Sequence, residues 1–163
     1  MQALMIVDMQ KGLMKESNSH LIPKINAYLK EKHFEKVIYT KFYNHLDSQY
    51  VYLLNWKKMI SEDEIEICVD QVDDSIVFPK CSYGISYEQI RWLKEQHINE
   101  VVLCGTDIDA CVLAIAYNLF DNGIKPYFKW DLLASANMRS KVDPKEIVKP
   151  MIIRNFGEDS ILD

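Results

Sequence analysis

The run Glu100-Val-Val-Leu-Cys-Gly-Thr-Asp-Ile-Asp-Ala-Cys-Val-Leu-Ala114 decides the fold class. Residues 100–105 read as a strand: the apolar run 101–104, stopped by Gly105, is the pattern of a parallel strand covered on both faces. Residues Asp109 to Asn122 read as a helix: Ala114, Ile115, Ala116 and Leu119 are helix formers or apolar spacers, and Gly123 suits the position just past the last turn. Cys111 therefore falls in the first helical turn, beyond the carboxyl end of a central strand. Open α/β sheets bind ligands at that end, and free amides with the helix dipole stabilise a thiolate there. The ordinary alternative for a cysteine is a buried, inert thiol.

Outward from this run, strands and helices alternate. Strand one spans 2–7, and a helix over 21–33 carries Pro23 in its first turn. Strand two is Val37–Lys41 and strand three Ser75–Phe78. A helix opens at Ser86, where Ser86 and Gln89 make a capping box, and ends near His97. Strand five is Lys125–Trp130, and Asp143-Pro144 supplies the N-cap and first position of a last helix that contains Pro150. Strands joined by crossover helices predict one α/β domain over 1–163, a three-layer α/β/α sandwich around a mostly parallel sheet. The stretch 43–74 is long for a connection and predicts a cap over a site.

Composition narrows the function. Hydrophobic residues make up 48% and charged residues 26%, an ordinary globular balance, and the net charge is −5. The acidic cluster at 61–66 and the lack of a basic stripe argue against nucleic acid and anionic membranes as partners. The opening Met1-Gln-Ala-Leu-Met-Ile-Val-Asp8 reads as a strand without a signal-peptide pattern, so the expected location is cytoplasmic. Cys68, Cys81, Cys104 and Cys111 form no C-x-x-C pair, which argues against a zinc knuckle and predicts free thiols.

Three reactive side chains stand at strand ends: Asp8 after strand one, Lys80 after strand three, and Cys111 after strand four. A free thiol is only a few per cent ionised at neutral pH. Asp8 can take its proton while Lys80 and the helix amides stabilise the anion, so no histidine is required. Singly, an Asp is a common loop residue and a Lys is usually solvated; together at three strand ends they point to one crevice.

These same residues carry a resemblance to the isochorismatase-like cysteine hydrolases. Ala3-Leu-Met-Ile-Val-Asp8-Met-Gln10 is similar to the family's D-x-Q segment, and Lys80-Cys-Ser-Tyr-Gly-Ile-Ser86 to its lysine segment. Gly105-Thr-Asp-Ile-Asp-Ala-Cys111-Val resembles its nucleophile motif, and Asp121-Asn-Gly123 and Asp131-Leu-Leu-Ala-Ser135 follow in order. The resemblance implies Cys111 as nucleophile, Asp8 as general base and acid, and Lys80 as its charged partner. It further implies a cis peptide at Thr106–Asp107 that aims the Asp107 amide, with that of Cys111, at an oxyanion, and it implies self-association as a dimer or tetramer. The activity it implies is hydrolysis of a small amide, ureide or carbamoyl compound.

Departures from the family pattern matter equally. Nicotinamidases of the family bear a metal after strand two in a T-x-D-x-H-type segment, whereas Thr40-Lys-Phe-Tyr-Asn-His45 places Phe42 and Asn44 at those positions. Of four histidines, His33 and His97 fall near predicted helix ends and His45 stands alone, so no metal and no cofactor are expected. Leu13, Phe42, Asn44, Tyr50 and Trp56 are the expected pocket wall, with ordinary packing as the alternative for the aromatics. Two other functions fit parts of the pattern. One is vinyl-ether hydrolysis, which relatives carry out with a Gly at the cysteine position; the other is a thiol redox sensor or binding protein, which would not need Asp8.

Overall fold

Alternation along the central strand β1 (Gln2–Val7) explains the layering. Ala3, Met5 and Val7 enter one buried cluster and Leu4 and Ile6 another, so both faces of the strand are covered. The computed structural model describes residues 1–136 and 142–163. In chain order the elements after β1 are α1 (Leu21–Glu31), β2 (Lys36–Phe42), α2 (Gln49–Leu54), α3 (Glu62–Ile65), β3 (Ile76–Lys80) and α4 (Tyr87–Glu95). Then come β4 (Glu100–Gly105), a π-helical turn (Ile108–Val112), α5 (Leu113–Asp121), β5 (Lys125–Leu133), α6 (Pro144–Phe156) and β6 (Ile161–Leu162).

The strands lie in the order β3-β2-β1-β4-β5-β6, every pair parallel. On one face Ile90 and Leu93 of α4, Ile115 and Leu119 of α5, and Val148 and Ile152 of α6 pack against the sheet. On the other, Leu21 and Ile25 of α1 cover Leu4, Tyr39 and Val102. This is the three-layer α/β/α class. Strand order reverses direction at β1, so the chains leaving β1 and β4 part to opposite sides and open a crevice between the two carboxyl ends. Asp8 and Cys111 come from those two ends.

Several local expectations need adjusting. The Ser86–Gln89 capping box and the Asp143 cap with Pro144 form as expected. The helix expected over 109–122 begins as a π turn, with Val112 N–H donating to Asp107 O at 3.1 Å, and becomes α-helical at Leu113. β3 runs on to Lys80 and β5 to Leu133, past the ends that apolar pattern suggested. The segment 43–74 contains two short capped helices, and Phe42, Tyr50 and Met59 form a small separate core beneath it. Strand β6 has only two residues, too few to show a period.

Gly105 has a stereochemical reason. Its φ is +110°, and a Cβ there would lie 2.2 Å from Val7 O. Only glycine lets β4 pass β1 this closely, with Thr106 N–H bonding Val7 O at 3.0 Å as the chain turns into the site.

Candidate active site

Asp8 follows β1 with a left-handed φ of 48°, which swings its carboxylate into the crevice. It is 0% exposed. Thr40 at the end of β2 fixes it twice: the hydroxyl donates to Asp8 Oδ1 at 2.5 Å and accepts from Asp8 N–H at 3.0 Å. Asp8 Oδ2 lies 2.7 Å from Lys80 Nζ, both side chains being out of solvent. The three ammonium hydrogens of Lys80 are taken by Ser82 O at 2.9 Å, Tyr83 O at 3.3 Å and Cys111 Sγ at 3.4 Å. Asp8 Oδ2 thus meets Lys80 as a close ion pair, outside regular hydrogen-bond geometry. The Lys80 ammonium also stands 5.0 Å from the centre of the Phe42 ring.

Acid, amine and sulfur therefore meet in one place. Burial opposes the Lys80 charge, but Asp8 and Cys111 outweigh it and hold the ammonium above its ordinary pKa. For Cys111 the balance runs the other way. Burial first, then the negative charge of Asp8, push the thiol well above its ordinary value, and Lys80 only partly offsets them. The enclosed cysteine beside a carboxylate therefore rests as a thiol, with Asp8 placed to take its proton.

A cavity of about 1020 Å³ opens over the sulfur. Asp8, Leu13, Phe42, Trp56, Asp107 and Cys111 all line it, whereas Lys80 lies in the wall behind Asp8. Asn44 does not line it and is removed from the pocket wall. Its amide donates to Trp56 O and Lys58 O at 3.1 Å each, and its carbonyl accepts from His45 N–H and Ser48 Oγ. Asn44 holds the segment around α2 in shape, a role invisible without knowing which way the side chain turns.

The Thr106–Asp107 peptide bond is cis. Ile108 N–H bonds Ala134 O at 3.0 Å, and Asp107 Oδ1 accepts from Thr106 Oγ1 at 2.5 Å and from Ala136 N–H at 2.6 Å. The turn carrying Cys111 is thus tied to the chain leaving β5. Burial raises the Asp107 pKa against these hydrogen bonds.

Other contributors escaped the sequence reading. Thr40 was read only as part of a motif, although its place beside the end of β1 follows from the Ile6–Tyr39 register. Gln10, fully buried, donates to Phe42 O at 2.8 Å and Ile65 O at 2.9 Å and accepts from Phe42 N–H, joining β2 to the segment 43–74. Tyr83 and Lys58 complete the cavity wall with no local signal.

A family model described as Isochorismatase domain matches residues 2–144. The chain belongs to the isochorismatase family. Among curated proteins it has no significant match. Solved structures agree on the fold. The pyrazinamidase of Pyrococcus horikoshii in complex with zinc is 19% identical, with a TM-score of 0.79 over 99% of this chain and 98% of that one. N-carbamoylsarcosine amidase from Thermoplasma acidophilum is 21% identical, with a TM-score of 0.77 over 96% and 92%. The pyrazinamidase/nicotinamidase from Streptococcus mutans UA159 is 16% identical, with a TM-score of 0.80 over 99% and 100%.

The zinc of the archaeal relative prompts a test of donor chemistry in this isochorismatase-family chain. At the end of β2, Phe42 packs edge-on against Tyr50 with ring centres 5.2 Å apart, and Asn44 has its amide fully engaged. His45 is exposed and meets the Tyr43 ring edge-on. Among the described residues no three His, Cys, Asp or Glu side chains converge as a metal site would require. The residues present do not fit zinc. No helix among them is long and apolar enough to cross a membrane.

Proposed function

We propose that this isochorismatase-family protein is a cysteine hydrolase that cleaves the C–N bond of a small amide, ureide or carbamoyl compound without a metal. The observation that carries the reading is the contact set of Lys80 Nζ, 2.7 Å from Asp8 Oδ2 and 3.4 Å from Cys111 Sγ, beside a cavity that both partners line.

Because Cys111 rests as a thiol, its proton passes to Asp8 as the sulfur attacks the substrate carbonyl. Lys80 keeps its charge and lowers the energy of the sulfur's developing anion. The Asp107 and Cys111 N–H groups receive the tetrahedral oxyanion; losing one such donor typically costs about 10²–10³ in rate. Asp8 returns the proton to the departing nitrogen, leaving a thioester, and then takes a proton from the water that hydrolyses it. The segment 43–74 acts as the cap that screens these steps from bulk solvent.

The test is a panel of small amides and ureides, read by turnover and by mass spectrometry of Cys111. Cys111→Ala is expected to lose both turnover and the acyl adduct, and protein treated with a chelator is expected to keep its activity. Turnover by Cys111→Ala would exclude the mechanism; if that variant still cleaved a vinyl ether while Asp8→Ala did not, the reaction would be ether hydrolysis.

A further inference from the structure

Among the described residues, two buried side-chain polar atoms lack a hydrogen-bond partner in the protein: the Tyr50 hydroxyl, which has no partner of any kind, and Asp8 Oδ2, which is met only by the Lys80 charge at 2.7 Å and keeps room to accept a hydrogen. Both residues line the cavity above Cys111. One atom is an acceptor and the other a donor, and buried polar atoms of either kind are rarely left unsatisfied. An unmet buried hydroxyl is destabilising, so its retention at a reaction site calls for a ligand.

Tyr50 is held so that little but its hydroxyl can change partners. It is 4% exposed, and its ring meets Phe42, Trp56 and Tyr83 edge-on, with centres 5.2, 5.9 and 5.2 Å away. Burial first, helped by the negative charge of Asp8, keeps the phenol protonated. It is a fixed neutral donor at every pH where the enzyme would work.

We propose that the Tyr50 hydroxyl, with Asp8 Oδ2, holds the water that hydrolyses the acyl–Cys111 thioester. Water is the small species that donates to a carboxylate and accepts from a phenol at the same time. In the step, the water oxygen forms a C–O bond to the acyl carbon and gives one proton to Asp8. The C–S bond then breaks, and Asp8 passes that proton to the sulfur. No electrons are exchanged and the products are a carboxylic acid and the Cys111 thiol. Tyr50 neither gains nor loses a proton; it orients the attacking lone pair. This rests on the thioester mechanism above.

The experiment uses p-nitrophenyl acetate as a generic acyl donor on the full chain, comparing wild type with Tyr50→Phe. Acylation is read from the nitrophenolate burst and deacylation from the decay of the acetyl-Cys111 mass. Tyr50→Phe is expected to acylate like wild type but to lose the acetyl group about tenfold more slowly, the effect of one hydrogen bond. Hydroxylamine, a strong nucleophile that needs no such positioning, is expected to clear the adduct from both proteins at similar rates. Because the lost hydroxyl has no partner in the fold, the variant is expected to melt at or above the wild-type temperature. Equal decay in the two proteins, or equal slowing of acylation and decay, would overturn the role of Tyr50. Absence of any acetyl group on wild-type Cys111 would instead overturn the thioester reading, and Tyr50's role with it.

Discussion

Replacing Asp8 by Asn tests whether the buried ion pair exists as described. The two side chains are 0% and 2% exposed and their charges stand 2.7 Å apart. Asparagine nearly preserves shape but leaves the Lys80 ammonium enclosed without its counter-charge, a change that typically costs about 3–5 kcal/mol. In a domain of this size each kcal/mol moves the melting temperature by about 2–4 °C, so Asp8→Asn should melt about 6–20 °C lower. Adding Lys80→Met removes the stranded charge. The double variant should therefore be less destabilised than the sum of its singles by about 0.5–3 kcal/mol, as expected for contacting residues. Thermal unfolding of the four proteins by circular dichroism measures all of this. An Asp8→Asn protein that melts with wild type, or strictly additive singles, would refute the enclosed pair.

Three further outcomes follow from the same geometry. Alkylation of Cys111 by iodoacetamide should keep accelerating above pH 9, since a raised thiol pKa means little thiolate below it; Asp8→Asn should shift the curve to lower pH and Lys80→Met to higher pH, and unmoved curves would contradict the assigned causes. Thr40→Val removes the hydroxyl that both donates to and accepts from Asp8, and should lower turnover about 10–100-fold, the worth of a hydrogen bond to a charged group, without abolishing the fold; a variant as active as wild type would show that Thr40 does not orient the base. Gly105→Ala forces a Cβ to within 2.2 Å of Val7 O at a φ of +110°, so it should yield insoluble or unfolded protein on expression, and a normal melting curve would disprove the close approach of β1 and β4.

How much of this was legible in the sequence depends on the range of the interaction. The apolar run 101–104, the Ser86–Gln89 box and the Asp143-Pro144 start are local patterns, and they form as read. The π turn under Cys111, the short α2 and α3 and the two-residue β6 depend on distant partners such as Ala134, Gln10 and Phe128. Asn44 shows the limit most clearly. Its type suited a pocket wall, but four hydrogen bonds turn it toward Trp56, Lys58, His45 and Ser48.

By itself the chain's order of residues determined the alternating elements, the parallel sheet and the places of Asp8, Lys80 and Cys111 at strand ends, because hydrophobic period and strand-end position are properties of neighbouring residues. Only the tertiary structure decided that β1 and β4 part at the crevice, that Lys80 reaches past β2 to Asp8, and that the sulfur rests protonated. Those outcomes depend on distance and on exclusion of water between groups far apart in the chain, and both are set when the strands assemble.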